Sequence, residues 1–196
     1  MPTHPSGSLA NLPSQCAHLA AECVGARITA VSRILRYPEE KLSEDFELVD
    51  NSQVFNLAGG EIYLSLGNRL TLEIRRGSPH SRSIVLATVE RNLIEIASTP
   101  DYLDRTGLVI GADDPQYSRP IWNDSVSPVI ERVAYLHLQD EGDPRAQNQR
   151  AVKFYLDCEE PLLIGAGLRT DMQHLTILRV EDIDPSLLPK IREISL

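Results

Sequence analysis

The stretch SIVLATVE (83–90) is written again ninety-one residues later as HLTILRVE (174–181). Both alternate apolar and polar positions, and both close on Val-Glu. Alternation with period two marks a strand that buries one face. A chain that writes such a strand twice invites a search for the rest of the unit.

Three further segments repeat in the same order. ITAVSRILRY (28–37) lies over VSPVIERVAY (126–135) at an offset of 98, with Ile28 on Val126, Val31 on Val129 and Leu35 on Val133. EIYLSL (61–66) lies over AVKFYL (151–156) at an offset of 90, and Leu72 and Ile74 fall on Leu162 and Ile164 at the same offset. The second copy is thus eight residues shorter in the loop before its AVKFYL strand. The chain reads as a single domain, 1–196, built from two repeats (24–90 and 122–181). Residues 91–121 connect them, and 1–13 are expected to be flexible.

One such unit leaves a sheet face uncovered, so the two are expected to share one core. The fold class is mostly β with a minor α part: two tandem β-rich units with internal pseudo-two-fold symmetry, plus a short N-terminal helix. The core is expected to take Ile62, Leu64, Leu66, Leu72, Ile74 and Leu86 from the first copy. From the second it takes Val152, Phe154, Leu156, Leu162, Ile164 and Ile177.

Local signals fill in the elements. Gly67-Asn68 supplies a hairpin turn between the first two alternating strands. The opening elements, 28–37 and 126–135, fit either a helical stripe or a strand. Pro128 opposes a helix interior, and the alternation of RVAYLHL favours strands with an irregular start. SQCAHLAAECV (14–24) reads as a short helix with Ser14 as N-cap and Gly25 as stop. RNLIEIAS is expected to continue as a strand, GADDPQYSRP to be an exposed turn region, and DPSLLPKIREISL to form one or two helical turns capped by Asp184.

Composition then limits the chemistry. No apolar run approaches the roughly 20 residues that span a bilayer. The first fifteen residues carry neither a basic residue nor an apolar core, so they do not read as a secretory signal. Cys16, Cys23 and Cys158 cannot all pair and match no zinc or redox spacing, which suits reduced thiols in the cytoplasm. The five histidines are scattered, and no three ligands can be nominated for a metal.

There is no G-x-S-x-G. Cys158 stands beside Asp157 and Glu159, which raise a thiol's pKa rather than activate it. LIGAGLR (163–169) lacks the third glycine of a dinucleotide loop and reads as a strand end. The adjacent acids Glu39-Glu40 and Asp113-Asp114 suit solvated loops. No catalytic residue, metal ligand or cofactor is nominated, and the chain is read as a non-enzymatic protein.

Charge is the feature that remains. Twenty-eight acids against nineteen Lys and Arg give −9. That field repels nucleic acid and anionic membranes and favours basic partners or none. YPEEKLSEDFELVD (37–50) holds six acids against one lysine, interleaved with Leu42, Phe46 and Leu48. QDEGD (139–143) occupies the equivalent place in the second copy. The partner-binding candidates are therefore Glu39, Glu40, Glu44, Asp45, Glu47, Asp140, Glu141 and Asp143. The bland alternative is a pair of solvated loop tips.

In general character this acidic, cysteine-poor, mostly β chain resembles the immunity proteins paired with bacterial polymorphic or contact-dependent toxins. The resemblance implies a cytoplasmic inhibitor that covers a basic toxin, setting carboxylates against its Lys and Arg. Two other readings stay open. One is a small-ligand-binding or enzymatic β protein with its site in the crevice between the repeats; the other is a subunit that homodimerises.

Overall fold

The computed structural model describes residues 11–35, 51–77, 83–90, 92–100, 106–118, 127–139, 148–157, 160–169 and 174–196. Among them, ten strands form two antiparallel five-stranded sheets. The first sheet is ordered β4 (Ile84–Thr88), β3 (Thr71–Arg76), β2 (Glu61–Leu66), β1 (Ile28–Leu35), β5 (Leu108–Gly111). The second is ordered β9 (Leu175–Leu178), β8 (Leu162–Ala166), β7 (Gln149–Leu156), β6 (Ile130–Leu138), β10 (Ile191–Ser195). Each is a four-strand meander whose first strand takes a late fifth strand on its other side. The two halves have one topology.

Register makes the equivalence residue by residue. Ile62 and Leu64 pair with Ile74 and Leu72 as Val152 and Phe154 pair with Ile164 and Leu162. Leu86 pairs with Ile74 as Ile177 pairs with Ile164. These are the offsets of 90 and 91 read from the sequence. The opening strand is different. Ile28 lies opposite Leu66 and Ile130 opposite Leu156, with a bulge immediately after each, at Ile28/Ala30 and Ile130/Arg132. The offset there is 102, not 98. The bulge breaks the period-two pattern, and a four-residue slide brings other apolar residues into alignment.

The two-fold axis passes between Arg27 and Val129, which form an isolated antiparallel bridge. Around it the hydrogen bonds are reciprocal. The Ile28 N–H donates to Pro128 O (2.8 Å) and the Ile130 N–H to Ala26 O (2.9 Å). Gly67 N–H donates to Arg27 O and Asp157 N–H to Val129 O, again as mates. Further out, Ala112 N–H donates to Val31 O and Leu196 N–H to Val133 O.

One apolar core joins the sheets. It takes Ile28, Val31, Leu35, Ile62, Leu64 and Phe55 from one side, and Ile130, Val133, Val152, Phe154 and Ile164 from the other. All twelve residues expected in the core belong to it. Alternation places the remaining residues of each strand outward, and each outer face is covered by the segment that runs from fourth to fifth strand. On the first sheet, helix α3 (Leu93–Ser98) packs Ala97 over Ile34 and Tyr63. On the second, Ile183 and Leu187, joined by Leu168 from the β8–β9 connection, cover Leu136, Ala151 and Leu163.

Several local expectations are corrected. RNLIEIAS is not a strand: Asn92 accepts the Ile94 N–H at 2.9 Å and caps α3, with Glu95 in its first turn. The N-terminal helix is α1 (Ala17–Cys23), preceded by a 3-10 turn at Pro13–Gln15, and its N-cap is Cys16 rather than Ser14. Ser14 instead bonds Gln149, donating its backbone N–H at 2.7 Å and accepting from the amide at 2.6 Å. Gly25, at φ +80°, ends the helix as expected. Asp184 does cap a turn through its side chain, but IREIS beyond it is β10.

Candidate functional site

The halves differ most where β1 leads toward β2. There the first copy carries extra chain, including the short helix α2 (Val54–Leu57). Phe55 buries its ring completely and donates its N–H to Tyr117 O at 2.8 Å. Gly60 has φ +117°, and a Cβ on it would lie 2.2 Å from the Ile34 carbonyl oxygen, so only glycine fits.

Arg33 holds this corner. It points inward from β1, between the core residues Val31 and Leu35, and is fully buried. Its guanidinium is committed to backbone carbonyls. Nε donates to Phe55 O at 2.7 Å, Nη2 to Asn56 O at 3.4 Å, and Nη1 to Ala58 O and, at 2.9 Å, to Leu175 O. The last bond crosses from the first sheet to β9 of the second. Burial pulls the guanidinium pKa down to about 9, while the charge of Glu61 works the other way, so the group remains a cation at neutral pH. A buried cation is tolerable only when its donors are satisfied, and these carbonyls satisfy them. At the dyad-related place stands Tyr135: both pair with the same position of the neighbouring strand, Arg33 with Ile62 and Tyr135 with Val152.

Between α2 and the β8–β9 hairpin lies an open crevice of about 310 Å³. One wall is Gln53, Asn56 and Leu57 from the first unit; the other is Leu162, Ile177 and Leu178 from the second. Glu160, Arg169, Arg179, Glu181 and Asp182 carry its charge. Arg179 is engaged by Glu181 at 3.6 Å, and its N–H donates to Asp182 Oδ2 at 2.9 Å. The Asn56 side-chain oxygen is buried and has no hydrogen-bond partner among the described residues. Nearby, His174 packs on Gly59. Burial, then the charges of Arg76 and Arg33, lower the His174 pKa and favour its neutral form.

A second departure from symmetry lies on the outer face of the second sheet. Glu193 accepts from Tyr155 and from Lys153 (3.0 Å), and Arg132 stacks over the Tyr155 ring at 3.7 Å. Burial opposes both charges, yet these hydrogen bonds and the facing charges outweigh it. The Lys153 pKa is raised and the Glu193 pKa is lowered. This cluster satisfies itself.

The eight acidic candidates, Glu39, Glu40, Glu44, Asp45, Glu47, Asp140, Glu141 and Asp143, lie outside the described residues. Their anchors are described. Segment 36–50 joins β1 to the root of α2, and 140–147 joins β6 to β7, so the two acidic segments fill equivalent connections. Cys158 also lies outside the described residues. Cys16 and Cys23 are buried free thiols, and burial, with the charge of Glu22, pushes Cys23 up to about 12. Among the described residues no three His, Cys, Asp or Glu side chains converge as metal ligands, and no helix is long and apolar enough to cross a membrane.

Arg33, Asn56, Arg169 and Arg179 were not candidates from the sequence. Arg33 alone left a signal there: a lone cation at an inward position of an apolar strand. Comparison with protein-family models, with curated proteins and with solved structures finds no match.

Proposed function

We propose that this chain is a binding protein for a basic protein partner, acting in the bacterial cytoplasm as an immunity protein does on its toxin. The observation that carries the reading is how the acidic connection is rooted. Residues 37–50 concentrate six acids against one lysine, and the chain they lead into is pinned by the buried guanidinium of Arg33. A fixed root lowers the ordering cost of presenting a charged surface to a partner. Opposite charge speeds encounter, and the interleaved Leu42, Phe46 and Leu48 supply apolar contact.

The test is copurification from the native host with identification of the bound protein, followed by association kinetics. Reversing Glu39, Glu40 and Glu44 to lysine should slow association about tenfold or more and flatten its salt dependence. Unchanged rate and salt dependence would reduce the connection to a solvated tip. The second reading, a site between the repeats, is favoured by the crevice that α2 and β9 enclose.

A further inference from the structure

We propose that His174 is a pH-responsive latch on the α2 corner: its neutral imidazole seats on Gly59 and holds the two units together there, and its protonated form unseats and loosens α2. The inference concerns the corner itself and does not rest on the acidic connection being an interface.

The dyad supplies the comparison. By the offsets of 91 and 90, the mate of His174 is Ser83 and the mate of Gly59 is Gln149. Both pairs make the same contact, joining the chain that enters the fourth strand of one unit to the start of the second strand of the other. At one corner the Gln149 N–H donates to Ser83 Oγ at 3.0 Å, and the Gln149 side chain holds Ser14. Those groups, an amide and two hydroxyls, do not titrate. At the other corner an imidazole stands where the mate has a hydroxyl. Gly59 is buried, and a Cβ on it would stand 3.4 Å from His174 Nδ1, so the ring occupies the space that a side chain would take.

The seat suits the neutral ring. His174 precedes Leu175, whose carbonyl accepts from Arg33 Nη1 at 2.9 Å, so the imidazole adjoins the hydrogen bond that carries the buried guanidinium across to the second sheet. Two cations face it among the described residues: Arg76 at the end of β3, and Arg33 on β1. Glu61, on β2, acts on Arg33. Helix α2 itself carries no charged side chain. A further positive charge, half-buried beside two arginines, is opposed by desolvation and by repulsion. The folded-state pKa of His174 therefore lies below the ordinary value of 6.5. A proton that the unseated ring binds is resisted by the seated one. Acid thus favours the unseated state, increasingly as pH falls from 6.5 through the folded value. Because residues 36–50 lead into α2, acid releases the root of that connection.

Amide hydrogen exchange on the full chain, corrected for the intrinsic effect of pH, and an NMR titration of His174 test this. The Ala58 amide, which donates to Val54 O in α2, should lose protection about threefold or more between about pH 7.5 and about pH 5.5. The Gln149 amide at the mate corner should keep its protection. His174→Gln, neutral at every pH and checked for folding by its denaturation curve, should abolish the loss at Ala58. Arg76→Gln removes an exposed cation that faces the ring, and should raise the His174 pKa and shrink the loss. Three results would each overturn the proposal. His174 could titrate at or above its ordinary 6.5. Ala58 and Gln149 could lose protection together, as in a general loosening by acid. Or the loss at Ala58 could persist in His174→Gln.

Discussion

Arg33 and Tyr135 stand at the same place in two copies of one sheet and solve different problems. Tyr135 fills its corner with an aromatic ring near the surface, 9% exposed. Arg33 buries a full charge to gather the carbonyls of Phe55, Asn56, Ala58 and Leu175. The difference follows from the extra chain. Where the connection is short, packing suffices. Where it carries a helix of four residues, the carbonyls at its C-terminal end need donors, because so short a helix leaves most of its acceptors without intrahelical partners. Symmetry shows which contacts the fold requires; departure from it shows what one half has added.

The largest effect expected from this contrast is at the added corner. Arg33→Met keeps the volume but orphans several buried carbonyls, and should cost about 3–5 kcal/mol. Tyr135→Phe should cost less than about 1 kcal/mol. Equal losses in urea denaturation would mean that the two corners are not built differently. The shared core offers the converse test. Leu64 and Phe154 are mates, both fully buried, so truncation of either to alanine should cost about 2–5 kcal/mol. A core that tolerated one and not the other would break the symmetry where it should be strongest.

A smaller change tests the cover on β4. Asn11→Pro removes the N–H given to Leu86 O and should cost about 1 kcal/mol. It should also speed amide exchange at Leu86, whose extended partner is disturbed. The smallest effect belongs to the outer face of the second sheet. The folded-state pKa of Glu193 is lowered, so its stabilisation is fully present above the ordinary value of 4.5 and is lost as pH falls through the folded value. Glu193→Gln should therefore cost about 0.5 kcal/mol at neutral pH, and the difference from the parent should vanish on acidification.

The meanders were legible because strands that bury one face in a shared core must alternate, and they repeat at fixed offsets. What escaped had physical reasons. The offset of β1 and β6 was obscured by their bulges. The fifth strands, β5 and β10, are short and mostly exposed at β10, so they carry no alternating pattern. Helix α3 was mistaken for a strand because LIEIA reads equally well at either period, and the cap at Asn92 is what decides it. At the site, only Arg33 betrayed itself in sequence. The crevice that Asn56 and Ile177 line depends on contacts between segments more than a hundred residues apart.

The reciprocal bonds at Arg27 and Val129 have a consequence for molecularity. They are the contacts by which two half-length chains would close a symmetric dimer. Joined in one polypeptide, the halves meet at an effective concentration set by the linker, so assembly does not depend on how much protein is present. In a dimer of identical chains every substitution appears twice. Here an arginine buried at one corner need not be buried at the other.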